Sequence, residues 1–146
     1  MGQLAGKSAV ILGAASEGNM GQTIARLFAK EGAKVMVAGR KEGPLAALAN
    51  EIGGAYALCD IAKKPEVNAM ADKAAATFGR VDIAINTTGW GLLASLEEIT
   101  DEQLDQIVDL QFKGVHHFLQ AFVRVMSAQA PTGGSLISLS SATTKA

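Results

Sequence analysis

The stretch SAVILGAASEGNMGQTIARLFAKEGAKVMVAGR, residues Ser8 to Arg40, decides the fold. Ser8 to Leu12 is a short apolar run rich in β-formers, and it ends at Gly13. Gly13, Gly18 and Gly21 then punctuate a turn of small residues. From Met20 the apolar positions Met20, Ile24, Leu27 and Phe28 recur at helical spacing, so a helix follows the turn. Gly32 stops it, and Ala33 to Ala38 reads as a second buried strand. A strand, a tight turn and a helix N-terminus together make an anion site. The turn lets backbone approach a phosphate, and the free N–H groups and helix dipole favour its charge. The spacing departs from G-x-G-x-x-G, because four residues separate Gly13 from Gly18. The strand before the turn and the helix and strand after it supply the context the dinucleotide motif requires. The plainer reading is a βα turn that needs glycine for positive φ.

The end of the second strand speaks to the nucleotide. An NAD site places an acidic residue about 20 residues beyond the turn, where it binds the ribose 2′-hydroxyl. Here the strand closes Val37-Ala38-Gly39-Arg40-Lys41. Gly39 stands at the carboxylate's place, so nothing repels a 2′-phosphate, and the Arg40 guanidinium suits one bidentately. NADP(H) is therefore favoured over NAD(H). The competing reading is a solvated Arg-Lys pair on a loop.

The 146 residues are about one domain, and with 49% hydrophobic and 18% charged residues a sizeable core is possible. A net charge of -1 offers no basic field for nucleic acid and no polybasic patch for a membrane. No apolar run approaches the length of a membrane span, and no signal peptide is expected. One cysteine, Cys59, excludes an internal disulfide framework, suits a reducing cytoplasm and reads as a small buried hydrophobe.

Beyond Arg40, Gly43-Pro44 opens a helix through Leu45, Leu48, Ala49 and Ile52, and Gly53-Gly54 stops it. Ala55 to Cys59 is a third strand. Asp60 follows at its carboxyl end, where it can meet an adenine amino group or cap the next turn. Pro65 suits a helix first turn, with Val67, Met70, Ala74 and Phe78 on its apolar face. Val81 to Ile85 is a fourth strand, ending in the small polar turn Asn86-Thr87-Thr88-Gly89, which can approach a cofactor closely or simply turn. Trp90 fits better as packing under a loop than as a pocket wall. Thr100 and Gln103 form a capping box for a helix running to about Ala128. Its apolar face is Leu104, Ile107, Val108, Leu110, Val115, Phe118, Leu119, Phe122 and Val123. His116 and His117 have no acidic or Cys partner at ligand spacing, so no metal site is expected. Ser135 to Ser140 is a fifth strand. This alternation implies an α/β, doubly wound parallel sheet, a Rossmann fold of three layers (α/β/α), with a single domain over 1–146.

Several separated motifs together resemble the short-chain dehydrogenase/reductase family, whose N-terminal, cofactor-binding part would align with the whole chain. The turn Gly13-Ala14-Ala15-Ser16-Glu17-Gly18-Asn19-Met20-Gly21 is two residues longer than that family's T-G-x-x-x-G-x-G, and Leu12 stands where Thr is common. In this it looks like the divergent enoyl-thioester reductases. The resemblance makes Gly13, Ser16, Asn19, Met20 and Gly21 cofactor-binding, with Asn19 in the second glycine's place and Met20 offering its backbone N–H to the pyrophosphate. Asp60-Ile61 looks like the adenine-contacting pair. Asn86-Thr87-Thr88-Gly89 stands where the family has Asn-Asn-Ala-Gly. Ser138-Leu139-Ser140-Ser141 stands where it has Asn-x-Ser-Ser, which puts the catalytic hydroxyl at Ser141.

Two departures stand out. Gln111 takes the place of the family's proton-relay Asn and is one methylene longer. The family's catalytic Tyr-x-x-x-Lys lies past the catalytic Ser, whereas Tyr56, the one tyrosine here, lies on the third strand. Five strands also fall short of the six of a full dinucleotide fold, and the last would leave an open apolar edge. The expectation is a piece of a longer chain, cut before that Tyr helix. The resemblance implies an NADP(H)-dependent oxidoreductase acting on a carbonyl or alcohol substrate, cytoplasmic and dimeric or tetrameric. The alternatives are an enoyl-thioester reductase and a non-catalytic NADP(H)-binding or sensor protein. A methyltransferase is disfavoured, because Gly39 stands where it would need a ribose-binding acid.

Overall fold

The computed structural model describes residues 2–141 and alternates strand with helix throughout. Strands β1 (Ser8–Leu12), β2 (Lys34–Gly39), β3 (Ala55–Leu58), β4 (Ile83–Asn86) and β5 (Ser135–Ser138) make one parallel sheet in the order β3-β2-β1-β4-β5. The chain steps outward from β1 to β3, then returns to the other side of β1 for β4. That reversal opens a crevice at the carboxyl ends of β1 and β4. The register sets its floor: Leu12 lies opposite Ala38 on one side and Asn86 on the other, and Asn86 lies opposite Ser138.

All five residues of β1 are buried, as the central strand of a sheet covered on both faces must be. Its side chains alternate between two cores. Val10 and Leu12 join Met36, Ala38 and Ala84 under helices α3 (Lys64–Phe78) and α5 (Gly114–Ala128). Ile11 joins Val35, Val37 and Ile85 under α1 (Met20–Lys30) and α2 (Glu42–Ile52). Phe118 and Phe122 pack ring on ring at 4.8 Å between centroids in the first core.

The architecture matches the expectation from the sequence, but several details differ. β2 ends at Gly39, β3 at Leu58 and β5 at Ser138, while β4 begins at Ile83. The last ladder bonds run from Cys59 N to Gly39 O at 2.8 Å and from Leu139 N to Asn86 O at 3.2 Å, so Cys59 and Leu139 close the ladders just past the strand ends. Just before β4, Asp82 fastens the sheet with its side chain as well as its backbone, the carboxylate accepting from the Ser8 amide at 3.0 Å and from Arg80 Nε at 2.9 Å. Burial pushes its carboxyl up, but the Ser8 and Arg80 donors outweigh this and hold it below the usual carboxylate range.

The buried side of α1 is also different. Met20 and Leu27 are 59% and 53% exposed, and the helix buries Gly21, Gln22 and Ala25. Small residues there let the helix start lie against the glycine turn. The single long helix expected from Thr100 is three segments: α4 (Asp101–Ile107), a π-helical stretch Val108–Lys113, and α5. The Thr100–Gln103 capping box is present. α4 buries none of its residues, Leu104 included, and past the wider π turns Leu119 and Val123 meet solvent while Phe118, Ala121, Phe122 and Val125 meet the sheet and α3.

Candidate dinucleotide site

The crevice at the strand ends is lined by Gly13, Ala15, Ser16 and Asn19 from the glycine turn, and by Gly39, Arg40 and Lys41 after β2. Cys59, Asp60 and Ile61 after β3, Thr87, Thr88 and Gly89 after β4, and Leu110 of the π-helical stretch complete it. Nine predicted positions therefore come together: Gly13, Ser16, Asn19, Arg40, Asp60, Ile61, Thr87, Thr88 and Gly89.

The turn is built for close approach. Gly13 has φ +101°, and a Cβ there would strike Thr87 Oγ1. Gly13 and Ala14 both donate to Ala38 O, at 2.9 and 3.1 Å, which pins the turn to the end of β2. Asn19 caps α1: its Oδ1 accepts from Gln22 N at 3.0 Å while its Nδ2 donates to Gly13 O at 2.7 Å. Met20 and Gly21, the first two helical residues, have amides with no intrahelical acceptor. Those amides and the helix dipole make the anion-favouring end. Neither residue lines the crevice. Gly21 is there for packing, since a Cβ would lie 2.7 Å from Gly13 O.

Asn86 lies beneath the crevice, 1% exposed. Its Oδ1 accepts from the Thr88 amide at 3.0 Å and from Thr88 Oγ1 at 2.7 Å, and its Nδ2 donates to Ser138 Oγ at 3.4 Å. Thr87 Oγ1 donates to Leu12 O at 2.9 Å. The Asn-Thr-Thr-Gly turn is thus tied to β1 and β5 and presents Thr88 and Gly89 to the crevice.

At the far end Arg40 and Lys41 are exposed, and among the described residues neither makes an ion pair. A Cβ at Gly39 would approach the Ala15 Cβ to 2.7 Å, so the glycine lets turn and strand end close on each other. Asp60 caps the turn that follows β3, its Oδ1 accepting from Ala62 N at 3.0 Å, and it also borders the crevice. Burial, with Glu66 and Asp60 nearby, pushes the Cys59 thiol up to about 12, so it lines the site as an inert hydrophobe.

The two expected catalytic positions lie outside this lining. Gln111 is exposed within the π-helical stretch, next to Leu110, and Ser141 is exposed three residues past Ser138. Trp90 is half-buried in the loop after Gly89. Sequence reasoning missed Ala15, Lys41, Cys59 and Leu110 as lining. Lys41 was legible as the second member of a basic pair; the others contribute only small or apolar surface, which no motif marks.

The fit to a dinucleotide rests on this donor set: helix-start amides behind the glycine turn, two exposed cations at one end and small polar turns at the other. The fold and crevice define a dinucleotide-binding α/β protein. A family model described as Enoyl-(Acyl carrier protein) reductase matches residues 13–146. An uncharacterized oxidoreductase of Staphylococcus aureus is 34% identical over 141 residues, covering 94% of this chain and 59% of that protein. A mitochondrial borneol dehydrogenase of Lavandula x intermedia is 34% identical over 147 residues, covering 99% and 55%. A crystal structure of a short-chain type dehydrogenase/reductase from Mycobacterium marinum superposes with a TM-score of 0.90 at 30% identity, covering 98% and 59%. The chain belongs to the short-chain dehydrogenase/reductase family. It spans somewhat over half the length of these relatives.

Proposed function

We propose that this chain is the cofactor-binding part of an NADP(H)-dependent oxidoreductase that moves a hydride between the nicotinamide and a carbonyl or alcohol carbon. The observation that carries the cofactor preference is the strand end Gly39-Arg40-Lys41, which offers two exposed cations to the crevice and no carboxylate. Arg40 would grip a 2′-phosphate, the helix start at Met20 and Gly21 would face the pyrophosphate, and Asp60 and Ile61 would border the adenine. When bound, the nicotinamide supplies or accepts the hydride. Thr88 and Gly89 would hold its position relative to the substrate. Ser141 would hydrogen-bond the substrate oxygen and stabilise its developing charge, with Gln111 ordering a proton-relay water. Proton exchange would fall to the family's Tyr-x-x-x-Lys pair in the longer protein, which would act as a dimer or tetramer in the cytoplasm.

The test is a titration with NADPH and NADH followed by nicotinamide fluorescence, repeated with Arg40→Asp. NADPH should bind at least tenfold more tightly, a margin of about 1.4 kcal/mol, and Arg40→Asp should abolish the margin. Equal affinities in the unmodified protein would overturn the cofactor assignment.

A second reading is favoured by the lengthened glycine turn and the matching family description: reduction of an enoyl thioester. Crotonyl thioester consumed with NADPH, in preference to ketones, would select it.

A further inference from the structure

We propose that Gln22 is a positioning residue that holds the lengthened glycine turn in its anion-binding shape, an inference that rests on the dinucleotide reading above. A turn two residues longer than usual leaves a wider loop to be filled. Gln22, in the first turn of α1 and only 3% exposed, fills it. Its carboxamide spans the loop from side to side: Nε2 donates to Ala14 O at 3.1 Å, and Oε1 accepts from Gly18 N at 3.3 Å. Its own amide donates to Asn19 Oδ1, and Asn19 Nδ2 donates to Gly13 O. Two carboxamides three residues apart therefore hold Gly13, Ala14 and Gly18 together.

The outer side of this clamp is anchored as well. Arg26 Nη1 donates to Gln22 Oε1 at 3.4 Å, and Arg26 itself grips Glu51 of α2 with two bonds of 2.7 and 2.9 Å. The consequence is electrostatic as well as mechanical. With the Gly13 and Ala14 carbonyl oxygens occupied by amide donors, acceptors that would repel a phosphate are engaged. A turn formed before the nucleotide arrives spares the ordering that binding would otherwise require.

The experiment compares two ligands on the unmodified protein and on Gln22→Met, which keeps length and removes every side-chain bond. NADPH spans the turn, whereas 2′-AMP uses only the Arg40 and Asp60 end. Fluorescence should show NADPH affinity falling about tenfold, or about 1.4 kcal/mol. Calorimetry should show 2′-AMP affinity within about twofold of its starting value. NADPH affinity unchanged, or equal losses for both ligands, would overturn the positioning role. If Gln22→Met does not fold, hydrogen exchange on the unmodified protein carries the test. The Gln22 side-chain amide should be protected before NADPH is added and change little afterwards; free exchange in the nucleotide-free protein would overturn the role. An unmodified protein that binds neither ligand defeats the dinucleotide reading and this role with it, whereas NADPH bound equally by both forms defeats this role alone.

Discussion

Replacing Gly21 with alanine sets two opposing terms against each other where the start of α1 packs on the glycine turn. Alanine is the better helix former by about 0.8–1.0 kcal/mol. Its Cβ, however, would lie 2.7 Å from the Gly13 carbonyl oxygen and 2.9 Å from Thr87 Oγ1. Neither neighbour can yield freely, since Asn19 Nδ2 holds Gly13 O and Thr87 Oγ1 is bonded to Leu12 O. Overpacking of this kind costs about 1–3 kcal/mol, so the net effect is a loss of about 1 kcal/mol. In a domain of this size that lowers the melting temperature by about 2–4 °C. Gly43→Ala, in the first turn of α2 with no atom within 4 Å of its Cβ, is the control. It carries only the propensity term and should raise stability by about 0.5–1 kcal/mol. Thermal melts should therefore move in opposite directions, and NADPH affinity should fall at least tenfold for Gly21→Ala alone. If both variants melt higher and bind alike, the packing of the helix start on the turn is misread.

Ser141→Ala in the full-length enzyme should lower turnover by about 100-fold or more with NADPH affinity nearly unchanged; parallel losses in both would count against a role on the substrate oxygen. Asp82→Asn should destabilise by about 1–3 kcal/mol at neutral pH, because it weakens acceptors for buried Ser8 and for Arg80. The Asp82 carboxyl is held below its unfolded value, so its contribution is complete above the unfolded value and fades as pH falls through the folded one. The stability difference between Asp82→Asn and the unmodified protein should accordingly shrink in melts taken from pH 5 down to pH 3, and a constant difference would remove the linkage. Cys59, its thiol pushed up to about 12, should react with iodoacetamide at pH 8 far more slowly in the native protein than in denaturant; equal rates would contradict its burial.

The alternation of strand and helix, all five strands and the place of the crevice were legible because the signals were local. Apolar runs bounded by Gly13, Gly32, Gly53 and Gly79 announce strands and helix ends, and the Thr100–Gln103 pair announces a helix start. What stayed hidden depends on who packs against whom. Met20 and Leu27 carry the apolar period of α1, yet Gly21 and Gln22 are the residues pressed into the fold, because the glycine turn occupies the space beside them. The π-helical stretch Val108–Lys113 has no proline or glycine to mark it, and it changes which side of the long helix is covered. Gln22 reads as an ordinary helix-surface amide until Ala14 and Gly18 are seen on either side of it.

The proposed function requires that the crevice at the strand ends hold NADP(H). Amide chemical-shift mapping during NADPH addition to the nitrogen-15-labelled protein tests it most directly. Perturbations should concentrate at Gly13, Ser16, Asn19, Met20, Arg40, Asp60, Thr88 and Gly89, with the opposite sheet end at Lys7, Arg80 and Asp82 unmoved. Perturbations centred on that opposite end, or none at millimolar NADPH, would contradict it.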